Sequence, residues 1–166
     1  MLVVKKLGIL LGLLLLLTGC GGNEVFENVE DVYAPITQTP MKLSLHLPDS
    51  AAVTTVSGNS GTLYVCDDFT VAVETFQGGD LQRTVKTVTG FTLDRLTVIQ
   101  REKDGITAYR CVWTSAGEGG DQVARSLILD DGAFHYAVTV MAPAENASAL
   151  EDGWQEIFSS VTLRTG

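Results

Sequence analysis

Three glycine-bearing turns between residues 93 and 142 constrain the fold more than any other feature of this sequence. The turns are Lys103-Asp104-Gly105, Gly117-Glu118-Gly119-Gly120 and Asp130-Asp131-Gly132. The segments around them alternate apolar and polar residues, and they are Leu93–Arg101, Ile106–Ser115, Gln122–Leu129 and Ala133–Ala142. Because alternating segments joined by tight glycine turns form hairpins, this region is predicted to be an antiparallel meander.

The preceding segment adds further strands and one short helix. Strands are predicted at Lys42–Leu47, Thr62–Cys66 and Phe69–Phe76, the last two joined by Asp67-Asp68. Asp80 is a predicted helix N-cap, and Gly90 stands where a glycine typically ends a helix.

The C-terminal segment predicts a longer helix over Glu145–Ser159. Its apolar stripe consists of Leu150, Trp154, Ile157 and Phe158. We expect Trp154 in the core and a final strand at Val161–Arg164. The predicted class is α+β, with an antiparallel meander of about six to seven strands, a short helix, and a long C-terminal helix packed on the sheet.

The first 19 residues are typical of a secretory signal peptide. Lys5 and Lys6 precede an 11-residue apolar run, Leu7–Leu17, which is too short to span a bilayer comfortably. The run ends in Leu17-Thr18-Gly19-Cys20, which resembles the lipobox of bacterial lipoproteins. This resemblance implies that Cys20 becomes the diacylated first residue of the mature chain, which would anchor it on the extracytoplasmic face of a bacterial membrane.

The predicted domain organisation is a signal peptide at 1–19, a lipidated cysteine and flexible tether at 20–40, and one domain at 41–166. The tether is acidic and carries Pro35 and Pro40. A short amphipathic helix from Val25 to Tyr33 is an alternative for part of it.

The charge of the mature chain excludes some partners. Without Lys5 and Lys6, nine basic residues stand against 20 acidic ones, a net charge of −11. We therefore expect no nucleic-acid partner and no polybasic membrane contact.

The order of elements resembles the PsbP-like family, which includes bacterial lipoproteins of the DcrB type. The resemblance rests on the hairpin at Asp130-Asp131-Gly132, the strand from Phe134 to Val140, and the helix from Trp154 to Ser160. It implies the family's sandwich fold and a noncatalytic, partner-binding role, and it transfers no site.

Two cysteines remain besides Cys20. Cys66 and Cys111 both lie in predicted strands on the exported side, where they form a candidate disulfide. The alternative is two buried free thiols. Neither lies in a recognisable nucleophile motif.

No catalytic or metal motif emerges from the remaining residues. His46 and His135 stand alone and are expected at the surface or at a sheet edge. Acidic turns such as Asp130-Asp131 leave calcium binding as an alternative, although tight turns favour aspartate for their own geometry. We expect no cofactor and no catalytic activity, while an enzyme built from residues distant in sequence stays open.

The sequence thus predicts a membrane-anchored lipoprotein that binds a protein partner or assists an envelope complex. The alternative is a small-ligand or metal-binding surface lipoprotein, which would use a concave sheet face or the acidic turns.

Overall fold

The structure is a computed structural model that describes residues 38–54, 61–117 and 120–165. Within these ranges the chain forms nine strands, two α-helices and a 3₁₀ helix. The strands are β1 (Lys42–Ser44), β2 (Ala52–Thr54), β3 (Gly61–Val65), β4 (Thr70–Gln77), β5 (Val98–Lys103), β6 (Ile106–Gly117), β7 (Gly120–Asp130), β8 (Phe134–Pro143) and β9 (Thr162–Arg164). The helices are α1 (Leu81–Thr89) and α2 (Glu151–Ser160), and the 3₁₀ helix is Leu93–Arg95.

Seven of these strands form one antiparallel sheet in the order β2-β3-β4-β8-β7-β6-β5. The strands β1 and β9 pair separately as a two-stranded antiparallel sheet. The predicted meander is confirmed, since β5 to β8 follow one another across the large sheet. The strand β8 lies in its middle, whereas β2 and β5 are its edges.

The turn between β5 and β6 shows why the hairpins form where the glycines are. Asp104 has a φ of 54° and Gly105 a φ of 77°. Positive φ at both central residues of a two-residue loop matches the right-handed twist of the strands, and Asp-Gly adopts it at low cost. The turn sets Lys103 opposite Ile106 and thereby fixes the register of the hairpin.

We call one side of the large sheet the α2 face, because α2 packs on it. Trp154 and Ile157 of α2 are buried there against β8 and its neighbours. The sheet residues in this core are Val71, Leu127, Val138, Val140 and Ala142. Burying a large aromatic side chain of this kind contributes several kcal/mol, so this contact is a main source of stability. The prediction that Trp154 belongs to the core is confirmed.

The opposite side is the α1 face, where α1 packs. Val85 of α1 is buried with Ile128 and Ala137. The Asp80 side chain accepts a hydrogen bond from the Arg83 backbone N–H, and Gly90 ends the helix with a φ of 79°. The predicted helix with these two caps is confirmed.

The C-terminal helix is shorter than predicted. It begins at Glu151 and not at Glu145, and it has ten residues. The residues before it form tight turns in which Asn146 N–H donates to the Pro143 carbonyl and Ala149 N–H to the Asn146 carbonyl. These bonds span three residues, and a bond spanning four begins only with Trp154 N–H to the Leu150 carbonyl, at 3.0 Å. The prediction of a long helix was wrong for this reason.

Two other predicted strands are also shorter. The prediction for Leu93–Arg101 was wrong at its start, because Leu93–Arg95 forms the 3₁₀ helix and β5 begins at Val98. Leu93 packs among the residues around Val85, which draws this turn onto the α1 face. The strand predicted to reach Leu47 ends at Ser44, although Leu47 still packs against the α2-face core.

Candidate functional site

Cys20 and the preceding residues lie outside the described part of the chain. The lipidation site, the signal peptide and the tether up to Thr37 therefore stay predictions from the sequence. In the described ranges, no helix is long and apolar enough to cross a membrane.

The candidate disulfide between Cys66 and Cys111 was wrong. Cys66 directly follows β3 and packs in the α2-face core, whereas Cys111 in β6 packs with Trp113 and Ala124 of the α1 face. The strands β3 and β6 are four steps apart in the sheet, about 19 Å at the usual strand spacing, whereas disulfides need Cα atoms within about 7 Å. Both thiols are free, and burial raises the pKa of each, to about 11 for Cys111.

The two histidines have different environments. His46 is exposed, as predicted, and its backbone N–H donates to Ser160 Oγ at 2.8 Å. The expectation for His135 was wrong, because its side chain is only 1% exposed. It lies on β8, which helices cover on both sides, and its ring points to the α1 face. A histidine in a central strand is therefore buried even though its own sequence neighbourhood looks like a half-exposed strand.

His135 belongs to a buried polar cluster on the α1 face that the sequence did not predict. Its Nδ1 lies 2.7 Å from Thr84 Oγ1, and its Nε2 lies 3.5 Å from Asp130 Oδ2. Further along the same face, Ser126 Oγ and Thr139 Oγ1 are 2.5 Å apart. Thr84 and His135 are only 3% and 1% exposed, so a substrate would not reach this hydrogen-bonded pair. The hydrogen bond between Thr84 and His135 instead joins α1 to β8.

In the acidic turn before β8, both side-chain oxygens of Asp131 already accept hydrogen bonds from within the protein. Asp131 Oδ1 accepts from the backbone N–H groups of Ala133 and Phe134, and Asp131 Oδ2 accepts from the Tyr136 hydroxyl at 2.8 Å. The Tyr136 hydroxyl also accepts from Met41 N–H. These contacts satisfy the Asp131 oxygens locally, as turn chemistry requires. Among the described residues, no group of three or more His, Cys, Asp or Glu side chains could hold a metal ion.

The same contacts shift two pKa values. Burial pushes the pKa of Asp131 upward, but hydrogen bonds from the two backbone N–H groups and from Tyr136 outweigh it, so the pKa lies below its usual 3.8. For Tyr136, burial and the hydrogen bond to Asp131 raise the pKa to about 12. The turn is therefore most stable with an ionised carboxylate and a neutral phenol.

Arg125 of β7 links α2 to the sheet. Its guanidinium forms a two-point salt bridge with Glu151 and lies 5.5 Å from the ring centre of Trp154. The hydrogen bond from Arg125 lowers the pKa of Glu151. This cation is therefore already paired and is not available to a ligand.

Beyond Arg125 the α2 face is open, and this open area is the candidate site. Ile99 of β5 and Val112 of β6 are 56% and 52% exposed. They line a concavity of about 260 Å³ between the outer strands and the end of α2. Its other lining residues include Thr97, Arg110, Gln155 and Phe158.

Cations surround these two aliphatic side chains. The strand pairing places Arg110 opposite Ile99, and it places Arg101 and Lys103 on the same face as Ile99. In the ranges that the structure covers, these three cations make no salt bridge and no side-chain hydrogen bond. We call Ile99, Arg101, Lys103, Arg110 and Val112 the edge patch.

Sequence reasoning missed the edge patch for a specific reason. Alternation along the two predicted strands already indicated that Ile99 and Arg101 share a face, as do Arg110 and Val112. It did not indicate which strand forms the sheet edge or how far the C-terminal helix reaches. Both depend on the pairing of distant strands.

Comparison with known proteins identifies the fold. No family model and no curated protein matches the sequence. The solved structure of cyanobacterial PsbP (CyanoP) from Synechocystis is 11% identical, covers 78% of this chain and 96% of its own, and has a TM-score of 0.56. The described domain therefore has a PsbP-like fold, as the resemblance implied.

Two further structures are similar. A protein from Bacteroides thetaiotaomicron is 15% identical over 74% of this chain, with a TM-score of 0.50, and this chain covers only 45% of it. LpqN, described as involved in cell envelope biogenesis of Mycobacterium tuberculosis, is 15% identical over 77% of this chain and 87% of its own, with a TM-score of 0.49.

Proposed function

We propose that this protein is a lipid-anchored accessory module of a bacterial envelope that binds a protein partner and catalyses no reaction. Cys20 would hold it on the extracytoplasmic face of a membrane. The lipobox-like sequence Leu17-Thr18-Gly19-Cys20 after an apolar run supports the anchor.

The observation that carries the partner-binding proposal is the edge patch. Single exposed aliphatic residues are normal on protein surfaces. Here two of them are more than half exposed, adjoin one concavity and are flanked by cations without partners in the described chain. Arginine is enriched in protein interfaces, and a partner that docks here would both bury the apolar area and pair the charges.

A small-ligand-binding protein is the second candidate, and the same concavity would be its site. A volume of about 260 Å³ lies just below the roughly 300–1,000 Å³ of typical ligand pockets. A partner's side chain fits such a space better than a whole metabolite does. Melting curves of the purified protein with sets of metabolites and metal ions separate the two functions, because a saturable rise in melting temperature supports a ligand.

The anchor is tested with a Cys20→Ala variant. We expect the wild-type chain in the membrane fraction, labelled metabolically by a fatty-acid analogue, and the variant unlabelled and absent from that fraction. Cys66→Ala is the matched control, since it removes a cysteine outside the lipobox and should keep the label. A labelled Cys20→Ala chain would contradict the anchor.

The partner is tested by crosslinking in intact cells, followed by capture of the tagged chain and mass spectrometry. We expect a reproducible envelope protein with the wild-type chain and its loss with Cys20→Ala. Recovery of the tagged chain alone would contradict the partner-binding function.

A further inference from the structure

We propose that the edge patch binds an extended, acidic segment of a partner protein, which adds to the sheet as a strand beside β5. This inference rests on the proposed function and names the surface and the chemistry of its partner.

The backbone of β5 offers an unpaired edge. Among the described residues the strand pairs with β6 on one side only, and it ends the seven-stranded sheet that they form. Such an edge has a row of free N–H and C=O groups, which an extended peptide satisfies by forming another ladder. With six residues β5 is twice as long as β2, which forms the opposite edge with three.

The side chains along β5 predict what the added strand carries. Ile99, Arg101 and Lys103 alternate onto the α2 face, so every second side chain of an added strand would lie beside one of them. A complementary segment therefore has an aliphatic residue near Ile99 and acidic residues near Arg101 and Lys103. Arg110 lies one strand further inward, within reach of a long acidic side chain.

Charge complementarity favours an acidic partner at this place. The whole chain has a net charge of −9, so an acidic peptide is repelled from most of its surface. The edge patch concentrates three of the chain's 11 basic residues without neutralising them in the described structure. Opposite charges there would steer the segment to β5 and fix its register.

Other occupants fit less well. An anionic lipid surface would pair the cations but would leave the free backbone groups of β5 without partners. A second copy of this chain pairing through its own β5 would bring Arg101 and Lys103 close to the same cations of the first copy, and like charges across strands are destabilising.

The test is a selection of short random peptides on the full lipidated chain in detergent. We expect enriched peptides in which one Val, Ile or Leu and two Asp or Glu residues stand at every second position, to match Ile99, Arg101 and Lys103. Their affinity should fall at least about tenfold for the Arg101→Glu/Arg110→Glu variant. The matched control is Arg83→Glu/Arg164→Glu, which makes the same change in net charge at exposed cations elsewhere and should change affinity much less. Melting curves check that both variants are folded.

Peptides methylated on alternate backbone nitrogens test strand addition itself. In a strand, the N–H groups that face the neighbouring edge belong to every second residue. Methylation in one register should abolish binding, and methylation in the other should leave it unchanged. Equal effects of both registers, equal losses with both double variants, or enriched peptides without acidic residues would each overturn the inference.

Two further arms separate this inference from the proposed function. If vesicles containing phosphatidylglycerol bind the wild-type chain but not Arg101→Glu/Arg110→Glu, and no peptide is enriched, the occupant is a membrane and the inference is overturned. If the double variant still captures the partner in intact cells, the edge patch is not the site and the proposed function stands. If the wild-type chain captures no partner, the proposed function fails whatever the peptides do.

Discussion

The strands β8 and β5 differ in composition and in surroundings. The strand β8 is mostly apolar but includes His135 and Thr139, whereas β5 begins with Val98 and Ile99 and continues with four polar or charged residues. The strand β8 is covered by α2 on one side and by α1 on the other, and even its His135 and Thr139 are buried. In β5 every residue after Val98 is exposed, including Ile99.

The difference shows that position in the sheet, together with the composition of a strand, decides what its side chains do. A polar residue of β8 must find a hydrogen-bond partner inside the protein, because an unpaired buried polar group costs about 1–3 kcal/mol. An apolar residue of β5 stays in water until another molecule covers it. Stability is therefore concentrated around β8, whereas the apolar side chain of Ile99 on β5 stays exposed.

The largest change in the free energy of unfolding is expected where a side chain that covers β8 is removed, and a side chain on β5 is its comparison. Trp154→Ala should lower the free energy of unfolding by about 3–5 kcal/mol, because it leaves a cavity in the α2-face core. Ile99→Ala should change it by no more than about 0.5 kcal/mol. Urea denaturation measures both, and Trp154→Phe serves if the alanine variant does not fold. Equal losses of unfolding free energy at the two positions would show that the surroundings of β8 do not stabilise the protein more than those of β5.

A smaller effect is expected from the hydrogen bond that holds His135. Thr84→Val keeps the shape of the side chain but leaves His135 Nδ1 without its partner, so unfolding should become easier by about 1–3 kcal/mol. Thr87→Val is the matched control on the same helix, because Thr87 is exposed and should change stability by about 0.5 kcal/mol or less. Chemical denaturation of both variants decides whether the cluster stabilises the attachment of α1.

The hydrogen bonds of Asp131 in the turn before β8 predict that the stability of the protein depends on pH. The pKa of Asp131 is lower in the native state than its usual 3.8, so the stability it contributes is present above that value and is lost as pH falls through the native pKa. Asp131→Asn should lower stability at neutral pH by about 1 kcal/mol and should lose less on acidification than the wild-type chain does.

Urea titrations at a series of pH values from neutral to acidic measure this effect. Asp49→Asn is the control for the change in net charge, since Asp49 is an exposed residue in a loop. Parallel acid-induced losses in the wild-type chain and Asp131→Asn would show that the hydrogen bonds of this turn do not stabilise the start of β8.

The last and smallest effect is the slow alkylation of the two buried thiols. Because Cys66 and Cys111 lie on opposite faces of the sheet and have raised pKa values, both should react slowly with iodoacetamide in the folded protein. After unfolding without reductant, mass spectrometry should find both alkylated. An intramolecular disulfide in that sample would contradict the strand order between β3 and β6.

Local chemistry explains which parts of the fold were predictable. Asp80 and Gly90 bounded α1 correctly because each acts within one turn of the helix. Asp104 and Gly105 located the β5–β6 hairpin correctly because the turn depends on the conformation of those two residues. In both cases the sequence within a few positions determines the backbone.

The rest depended on contacts between distant segments. His135 was expected at the surface because its burial requires α1, which meets it through Thr84, 51 positions away. The separation of Cys66 from Cys111 requires the full strand order of the sheet. The edge patch likewise follows from β5 being the last strand, which its own sequence does not reveal.

The pairing of β1 with β9 places Lys42 beside Arg164, so the two ends of the folded domain lie about 5 Å apart. A short glycine-rich linker could therefore join them into a continuous ring, and new termini could be opened at the exposed Asp104-Gly105 turn. In such a circular permutant β6 would come first and β5 last, and the sheet would keep every one of its neighbours. The linear order of the chain is thus one of several that this topology accommodates.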